Sequence, residues 1–577
     1  MTHKKILRRS IPEGSPRLTS IPDVLNRIYA ARGLSTEEEL ELQLKRMLPA
    51  TSLKGLNAGV QILSNAIVSG EKILIVGDFD ADGATSTALA VEALTAMGAS
   101  SPSYLVPDRF KFGYGLTPEI VDLAHEQKPS VIVTVDNGIS SFDGVERAKS
   151  LGMIVVVTDH HLPSDSLPDA HAIVNPSQPD CEFPSKNLAG VGVIFYVMSA
   201  LRMHLRNEGW FERSNITEPN MATFLDLVAL GTVADLVPLD YNNRVLVEQG
   251  IRRIRGGKAR PGISALFEVA GKDVKNALTS DLGFVAGPRL NAAGRLDDMA
   301  TGIECLRSRD MIEARQRARV LNELNQTRKQ IEDEMRRDAE AILLQLLETQ
   351  DEQAWGVVLY EEHWHQGVIG ILASRVKEKL NRPVIAFAPA SDDPSAIEVL
   401  KGSARSIPGF HMRDALDLIA KRKPHLLSKF GGHAMAAGMS LNIEDLPEFR
   451  KEFDSVVRES IKEEDLDAVI YTDGELSDSE FELEVVDMLE RAGPWGQKFP
   501  EPKFDLRARV VQSKVLKEKH LKLVLELEGG KLLDAIQFSS PYCRDKLSQV
   551  RVVYRPSVNE FRGRRNVQLL VDYLEPC

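Results

Sequence analysis

Carboxylate and imidazole side chains that could hold metal ions occur in short groups directly after apolar runs. In chain order these groups are Asp78, Asp80 and Asp82; Asp136; Asp159, His160 and His161; and Asp235. Crowded carboxylates repel one another and raise their own pKa values unless cations neutralise them. Oxygen ligands suit Mg²⁺ or Mn²⁺, and an imidazole favours Mn²⁺. Two such ions, about 3.5 to 4 Å apart, can activate water and hold a phosphodiester during in-line displacement.

Five short β-branched runs alternate with helix-like segments here, which predicts a parallel sheet with crossover helices. The runs cover residues 73–76, 104–106, 131–135, 154–158 and 172–174. Open parallel sheets bind ligands outside the carboxyl ends of their strands, and three of the groups follow such ends. A single Asp after a strand is often only the N-cap of the next helix. Because three such groups follow strands at the same edge of one sheet, a metal site is favoured over three independent helix caps.

Two other kinds of site share part of this pattern. Asp78-x-Asp-x-Asp-Gly begins like a calcium-binding EF-hand loop, but its twelfth position is Leu89, where a bidentate Glu is required. Asp80-x-Asp-Gly-x-Thr resembles the start of a haloacid-dehalogenase-type phosphatase, which would use an aspartyl nucleophile. That family has no use for Asp159-His-His, so neither reading accounts for the whole set.

The rest of the chain divides by pattern. Residues 1 to about 70 look helical and polar, with a capping box predicted at Ser35 and Glu38 ahead of a charged helix. Residues 308–348 lack Gly and Pro and repeat apolar groups at helical spacing, which predicts a spine of about 60 Å between two domains. A second α/β unit follows, and alternating strands after residue 500 predict a small β-barrel.

Composition limits the class of protein. The chain has 577 residues, so about three or four folded units are expected. The net charge of -12 discourages nucleic-acid binding, but residues 491–577 hold seventeen Lys/Arg against ten Asp/Glu. Local basic surface determines affinity for phosphate chains, so DNA and RNA stay possible ligands.

The sequence also limits where the protein works. The basic first ten residues run into Pro and Gly, which argues against a secretory signal. The longest uncharged apolar stretch, 188–201, is shorter than the roughly 20 residues that span a bilayer and is expected to be a buried core helix. The four cysteines form no Cys-x-x-Cys pair, which fits a reducing cytoplasm.

Taken together, these residues resemble the DHH phosphoesterase superfamily, and within it the bacterial exonucleases specific for single-stranded DNA. The resemblance covers residues from about 70 to the C-terminus. Its motifs are Gly77-Asp-Phe-Asp-Ala-Asp-Gly-Ala-Thr-Ser86, Val135-Asp-Asn-Gly138, Asp159-His-His161, Gly287-Pro-Arg-Leu-Asn-Ala-Ala-Gly-Arg295, His363-Trp-His-Gln-Gly-Val368 and Gly431-Gly-His-Ala-Met-Ala-Ala-Gly438. The combination is highly specific, whereas the DHH triplet alone is a weak signal.

The resemblance implies two divalent metal ions, Mn²⁺ or Mg²⁺. The implied ligands are Asp80, Asp82, Asp136, His160 and Asp235, with Asp136 bridging and Asp78 as an additional ligand. Small DHH phosphatases carry a His four residues before the first paired Asp, where this chain has Val76, so one ion would be held more weakly or with help from Asp78. The implied catalytic residues are His161, Asp136 and Asp159, with His161 stabilising charge or moving a proton at the scissile phosphate.

The second α/β unit resembles a DHHA1 domain that binds phosphate. A Gly/Ala-rich loop taken alone is more often a sign of tight helix packing, but His433 and Ser403-Ala-Arg405 favour an anion site. The resemblance implies that a 5′ phosphate is held by Arg109, Arg289, Asn291, His365, Ser403, Arg405, Gly432 and His433. Arg suits this role because its planar fork grips two phosphate oxygens.

The fold class is therefore expected to be α/β: a parallel-sheet DHH domain joined by a long helix to a smaller α/β DHHA1 domain, plus a C-terminal OB-like β-barrel. The expected boundaries are an N-terminal helical collar (1–69), the DHH domain (70–307), the connecting helix (308–350), the DHHA1 domain (351–460) and an acidic segment with the barrel (461–577). In the barrel, Tyr554, Phe561 and the basic run 562–565 offer stacking and charge for bases, or equally a solvated hairpin with core aromatics.

The expected function is a metal-dependent 5′-to-3′ exonuclease that degrades single-stranded DNA to 5′-mononucleotides in repair and recombination. The protein is expected to be a cytoplasmic monomer with no membrane contact, and a single-strand-binding protein and a helicase are candidate partners. Two alternatives stay open. One is a DHH phosphodiesterase acting on short oligonucleotides or cyclic dinucleotides, and the other is an inactive scaffold that binds single strands.

Overall fold

The computed structural model describes residues 4–108, 111–112, 114–348, 354–391, 398–427, 429–543, 546–561 and 563–577. The chain forms two compact units. The smaller unit comprises Met1–Leu7 and Leu324–Tyr471, and the larger unit comprises Arg8–Glu323 and Thr472–Cys577. Among the described helices, none is both long and apolar enough to cross a bilayer.

The N-terminal region contains less α-helix than its sequence predicts. Its regular elements are β1 (Lys4–Arg8), α1 (Asp23–Ala30) and α2 (Leu56–Val68). The predicted capping box at Ser35 and Glu38 is wrong by one residue: Thr36 and Glu39 form it, and only a short 3₁₀ helix, Glu37–Leu40, follows. No charged α-helix forms there: only two more short 3₁₀ turns, Leu44–Arg46 and Ala50–Ser52, follow before α2.

The larger unit is built on a five-stranded parallel sheet. Its strands are β2 (Ile73–Gly77), β3 (Ser103–Leu105), β4 (Val131–Val135), β5 (Ile154–Thr158) and β6 (Ala172–Val174). The crossover helices are α3 (Ala81–Ala96), α4 (Pro118–Glu126) and α5 (Phe142–Ser150). The strand order is β3-β2-β4-β5-β6, so the chain leaves β2 on one side for β3 and returns to its other side for β4. This reversal is the topological switch point at which such sheets bind ligands.

The register of the sheet aligns the ends of three strands. Gly77 pairs with Val135, and Val135 pairs with Thr158. All residues of β2 and β4 are buried, as expected for strands covered on both faces. The residues that follow these three strands therefore leave the sheet side by side.

Helices complete the first part of the larger unit. They are α6 (Gly190–Asn207), α7 (Trp210–Arg213), α8 (Leu225–Ala234), α9 (Tyr241–Arg253), α10 (Pro261–Val269), α11 (Thr279–Asp281), α12 (Gly287–Leu296) and α13 (Ala300–Arg307). A π-helical turn, Leu282–Ala286, leads into α12. The apolar stretch predicted as a core helix forms α6, whose residues from Gly190 to Met198 are all buried.

The predicted spine is a continuous helix, α14 (Met311–Glu348), and it runs from the larger unit into the smaller one. Ala314, Ala318 and Leu321 are buried near its start, and Met335 and Ala339 are buried further along. Met335 and Ala339 pack into the core of the smaller unit.

The smaller unit has a mixed five-stranded sheet. Its elements are β7 (Val357–Tyr360), α15 (Ile369–Leu380), β8 (Val384–Pro389), β9 (Val399–Arg405), α16 (Met412–Arg422), β10 (Lys429–Gly432), β11 (Ala436–Asn442), α17 (Leu446–Ser460) and β12 (Ala468–Thr472). The strand order is β10-β11-β9-β8-β7, in which only β7 and β8 run parallel. β12 pairs with β1 in a separate two-stranded sheet.

The C-terminal part of the larger unit is a closed five-stranded barrel. It follows helix α18 (Leu483–Arg491) and consists of β13 (Phe504–Leu516), β14 (His520–Glu526), β15 (Leu532–Gln537), β16 (Gln549–Phe561) and β17 (Arg564–Pro576). Of the two alternatives for Tyr554, the structure supports a core aromatic and contradicts a base-stacking surface, because the ring is fully buried between Phe481 and Phe504. The predicted fold class is otherwise confirmed.

Candidate metal centre

The carboxyl edge of the parallel sheet gathers the acidic and imidazole groups predicted to bind metal. Three sets of side chains each offer ligand atoms within 4.8 Å of one another. The sets are Asp78, Asp80 and Asp136; Asp82, His160 and Asp235; and Asp136, His160 and His161. Asp136 and His160 each belong to two sets, so they stand where two cation positions would meet.

Asp80 and Asp82 lie at the start of α3, and each combines a local structural bond with its place in the cluster. Asp80 is the N-cap: its Oδ1 accepts hydrogen bonds from the N–H groups of Asp82 (2.8 Å) and Gly83 (3.0 Å). Asp82 is nearly fully buried, and its carboxylate accepts the N–H groups of Gly190 (2.6 Å) and Val191 (3.0 Å) at the start of α6. These bonds fix both carboxylates in place.

Asp136 lies between the other ligand groups because its backbone turns sharply after β4. Its φ is +62°, in the left-handed region that Asp tolerates better than most residues. His160 Nε2 lies 3.1 Å from Asp136 Oδ1 and 3.4 Å from Asp235 Oδ2. Asp235 follows α8 as its C-cap residue. Three separate elements thus meet at one imidazole nitrogen.

The charge of this cluster is unbalanced without a cation. Burial, with repulsion from Asp80, raises the pKa of Asp82 to about 7. Burial and the neighbouring carboxylates also raise the pKa values of Asp136 and Asp235 well above the ordinary range. A buried set of mutually repelling oxygen donors with one imidazole fits Mn²⁺ or Mg²⁺, which would supply the missing positive charge.

Asp159 serves a different purpose from the other carboxylates. Its Oδ1 accepts the backbone N–H of His160 and His161 and lies 2.7 Å from His161 Nδ1, while its Oδ2 accepts the N–H of Ile139. Burial opposes ionisation of Asp159, but the His161 hydrogen bond and charge lower its pKa below the usual value. Burial likewise opposes charge on His161, yet Asp159 and further carboxylates raise its pKa to about 9. In the protein without bound cations, Asp159 and the neighbouring carboxylates therefore favour the protonated form of His161.

A second polar site lies in the smaller unit, around two residues of β9. Arg405 donates to Ser374 Oγ (3.1 Å) and to Ser403 Oγ (3.0 Å). Burial lowers the pKa of Arg405, and among the described residues no carboxylate pairs with it. A Cβ on Gly370 would lie 2.9 Å from both Arg405 Nη2 and Ser403 Oγ. A half-buried guanidinium without a counter-charge is suited to an anionic ligand.

The Gly-rich motif forms the hairpin beside this site. Gly438 pairs with Ser403 on one side and with Gly431 on the other. Gly432 has a φ of +141°, and His433 N–H donates to Ala436 O at 2.8 Å to close the turn. A side chain at Gly431 would meet nothing within 4 Å, so backbone on this hairpin is open to a ligand.

The chain is similar to known proteins over nearly its whole length. Models of the DHH family N-terminal domain, the DHHA1 domain and the RecJ OB domain match residues 72–232, 353–459 and 472–573. The chain is 51% identical over 576 residues to the single-stranded-DNA-specific exonuclease RecJ of Escherichia coli, with 99% of each chain covered. The chain belongs to the RecJ family.

More distant RecJ proteins agree with this assignment. The RecJ of Haemophilus influenzae is 49% identical, with 99% of each chain covered. The crystal structure of RecJ from Thermus thermophilus in complex with Mn²⁺ superposes with a TM-score of 0.79 at 27% identity, covering 99% of this chain and 79% of that one. A Mg²⁺ complex of the same protein gives a TM-score of 0.74 at 26% identity, covering 99% of this chain and 78% of that one.

The remaining residues implied by the family resemblance lie on other elements than the metal-ligand groups and β9. Arg109 lies outside the described residues. His365 Nδ1 accepts the N–H of Gly367 in the loop before α15. Arg289, on α12, donates to Asn322 Oδ1 and to Val285 O, and burial lowers its pKa. Asn291 Oδ1 accepts the N–H of Ala81, so this side chain contacts the metal-ligand turn directly.

Sequence reasoning missed several groups that line this candidate metal centre. Tyr114 OH donates to Asp136 O at 3.1 Å and lies 3.1 Å from His161 Nδ1. Gly190 approaches so closely that a Cβ there would lie 2.6 Å from Asp136 Oδ1. A lone Tyr in a loop and a Gly at a helix start carry no pattern of their own. Only the assembled sheet edge reveals their proximity.

Proposed function

We propose that this protein is a metal-dependent exonuclease that hydrolyses single-stranded DNA in the 5′-to-3′ direction and releases 5′-mononucleotides. The observation that carries the proposal is the cluster of Asp78, Asp80, Asp82, Asp136, His160 and Asp235 at the switch point of the sheet. Membership of the RecJ family supports single-stranded DNA as the substrate.

The proposal gives the carboxylate cluster the role of holding two divalent cations. Asp82, His160 and Asp235 would hold one, and Asp78, Asp80 and Asp136 the other, with Asp136 shared. Bound there, Mn²⁺ or Mg²⁺ would supply the positive charge needed to activate water and to neutralise the phosphate oxygens. Burial of the cluster strengthens these electrostatic effects because few water molecules screen them.

His161 is proposed to act on the phosphodiester itself. The Nδ1 of its ring is held by Asp159, which leaves Nε2 as the atom that can face substrate. A charged imidazole donates a hydrogen bond to a phosphoryl oxygen, or a proton to the departing 3′ oxygen. Asp159 orients the ring and maintains its charge, in the manner of the acid in other acid–histidine pairs.

The anion site of the smaller unit is proposed to bind the 5′ phosphate. Arg405 provides a half-buried charge without a carboxylate partner among the described residues, Ser403 provides a hydroxyl, and the glycine hairpin provides accessible backbone. Holding the terminal phosphate would select 5′ ends and give the enzyme its direction. Arg109, Arg289, His365, Gly432 and His433 are retained in the proposal as further phosphate contacts.

The proposal extends to the setting in which the enzyme works. Family membership supports a role in DNA repair and recombination, and the four free cysteines suit the reducing cytoplasm. The barrel would bind the strand beyond the active centre. We further propose that the enzyme is a monomer that receives strands from a single-strand-binding protein or a helicase.

A directional digestion tests the proposal. Internally labelled single strands are blocked at the 5′ end, the 3′ end or neither, and incubated with Mn²⁺. We expect mononucleotides from the unblocked and 3′-blocked strands and none from the 5′-blocked strand. Digestion from the 3′ end would refute the direction. Cleavage of dinucleotides but not of long strands would favour the short-oligonucleotide phosphodiesterase, and binding without turnover would favour the inactive scaffold.

A further inference from the structure

One helical segment contacts two separate parts of the metal centre through its backbone and one amide. The segment consists of the π turn Leu282–Ala286 and helix α12. We propose that Asn291 and Gly294 are positioning residues that hold the Asp80–Asp82 turn in its metal-binding geometry. This inference rests on the metal centre of the proposed function, and it gives Asn291 a role other than contact with DNA phosphate.

Asn291 completes the N-terminus of α3. The first N–H groups of a helix have no acceptor within it and need one from elsewhere. Asp80 Oδ1 accepts the N–H groups of Asp82 and Gly83. The N–H of Ala81, between the two metal-ligand residues, donates instead to Asn291 Oδ1 at 2.8 Å. Asn291 thus anchors the one peptide of this turn that Asp80 does not reach.

Gly294 brings the backbone of α12 against the same turn. A Cβ at Gly294 would lie only 1.8 Å from the carbonyl oxygen of Phe79, the residue before Asp80. That contact is with backbone, so no side-chain rotation could relieve it. Gly294 is buried in the helix interior, where glycine costs about 1 kcal/mol relative to alanine. The close approach to Phe79 accounts for a glycine at this position.

The other end of the segment packs behind Asp235. A Cβ at Gly283 would lie 3.3 Å from Val233 Cγ1, and one at Gly287 would lie 3.2 Å from Ala234 Cβ. Val233 and Ala234 directly precede Asp235 in the chain. One continuous helical segment therefore contacts both the Asp80–Asp82 turn and the helix end that carries Asp235. The segment thereby helps to set the distance between these ligands. That distance matters because metal–ligand bond lengths vary by only about 0.2 Å.

Mn²⁺ binding without DNA tests this role directly. Asn291→Leu removes the acceptor at similar volume, and Asn291→Asp keeps an oxygen acceptor for Ala81 N–H. In titrations followed by the electron paramagnetic resonance of free Mn²⁺, we expect Asn291→Leu to raise the Mn²⁺ dissociation constant about 10- to 100-fold. We expect Asn291→Asp to bind Mn²⁺ at least as tightly as the wild type.

Asn26→Leu is the matched control. Asn26 Oδ1 accepts a backbone N–H, that of Leu18, at 2.8 Å in the same unit and away from the metal-ligand residues. We expect it to lower thermal stability and to leave Mn²⁺ affinity unchanged. Gly294→Ala is the second test variant, since it acts on a different contact of the same turn, and we expect it to weaken Mn²⁺ binding as well.

The Mn²⁺ affinities of the variants decide whether Asn291 and Gly294 position the metal-ligand turn. Wild-type Mn²⁺ affinity in Asn291→Leu, with a higher KM for DNA, would overturn it and assign Asn291 to phosphate binding. Wild-type affinity in a folded Gly294→Ala protein would also overturn it, and this measurement decides alone if Asn291→Leu fails to fold. A wild-type protein that binds no Mn²⁺ would instead refute the metal centre and with it the proposed function.

Discussion

His160 Nε2 lies 3.1 Å from Asp136 Oδ1, although the two residues follow different strands of the sheet. The register explains the contact, because Val135 and Thr158 pair directly and end their strands at the same level. Asp136 then turns back with a positive φ, which directs its carboxylate toward the imidazole. The pair forms the middle of the cluster, and its integrity depends on backbone geometry as much as on charge.

Asp136→Asn removes the carboxylate charge while keeping the backbone turn, so it tests the contribution of the charge alone. Asn adopts positive φ about as readily as Asp, so the turn after β4 should survive. Loss of the shared carboxylate removes a ligand from both proposed cation positions, and we expect kcat to fall at least about 1000-fold, or about 4 kcal/mol in barrier. Single-strand digestion with Mn²⁺ measures this. Asp122→Asn, an exposed residue of α4 paired with Arg147, is the control that should retain activity.

Stability of the metal-free protein should fall as pH rises. Burial raises the pKa of Asp82 to about 7 in the folded protein from its ordinary value of 3.8, so between these values the folded state binds more protons than the unfolded state. The contribution is present below pH 4 and is lost toward pH 7, at up to about 1.4 kcal/mol per pH unit. Asp136 and Asp235 shift in the same direction.

Melting temperatures in EDTA from pH 4 to 8 check this expectation. The wild type should lose more stability across this range than Asp82→Asn, which cannot titrate at that position. Added Mn²⁺ should raise the melting temperature of the wild type more at pH 8 than at pH 5, because protons compete with the cation. Identical pH dependence in the two proteins would contradict the assignment of a raised pKa to Asp82.

Asp159→Asn should narrow the pH range of activity. Asp159 raises the pKa of His161, so losing its charge lets that pKa fall from about 9. His161 is charged only below its pKa, and the alkaline limb of the kcat profile should therefore move to lower pH by at least about one unit. Profiles from pH 6 to 9.5 measure the shift. Asp169→Asn, which loses only a surface pair with Lys149, should keep the wild-type profile.

The sequence predicted the parts of the site that depend on local pattern. Apolar runs located β2, β4 and β5, and the rule that ligands bind at strand ends was enough to bring the acidic groups to one edge. The helical repeat likewise predicted α14 closely. These features depend on neighbours in sequence, so their signals are present in short windows.

What the sequence could not predict depends on long-range packing. Asp82 receives its hydrogen bonds from the start of α6, more than a hundred residues away, and Ala81 receives its acceptor from Asn291. Tyr554 lies between Arg551 and Arg555 in the sequence, which suggests an accessible aromatic, yet the closed barrel buries its ring. None of these contacts leaves a periodic or compositional trace, because each is made when separate elements dock.

Arg405→Ala should abolish the preference for a 5′-phosphorylated end. Arg405 is half-buried and pairs with hydroxyls and a backbone carbonyl rather than with a carboxylate, so its charge is available to an anion. A hydrogen bond to a charged group is worth about 1.5 to 3 kcal/mol, which predicts a 10- to 100-fold rise in KM for 5′-phosphorylated strands. KM for strands with a 5′ hydroxyl should change little, since these strands lack the phosphate that Arg405 is proposed to bind.

Gly370→Ala tests the same site by crowding Arg405 and Ser403 instead of removing them. The added methyl would lie 2.9 Å from both Arg405 Nη2 and Ser403 Oγ, so the guanidinium must shift, and we expect a smaller loss of the same 5′-phosphate preference. Arg413→Ala is the control, because Arg413 is an exposed cation in the same unit. Its loss should leave the ratio of KM values for 5′-phosphorylated and 5′-hydroxyl strands unchanged. An equal loss of activity on 5′-phosphorylated and 5′-hydroxyl strands in Arg405→Ala would contradict this prediction. It would show that Arg405 supports the fold of the smaller unit and does not bind the 5′ phosphate.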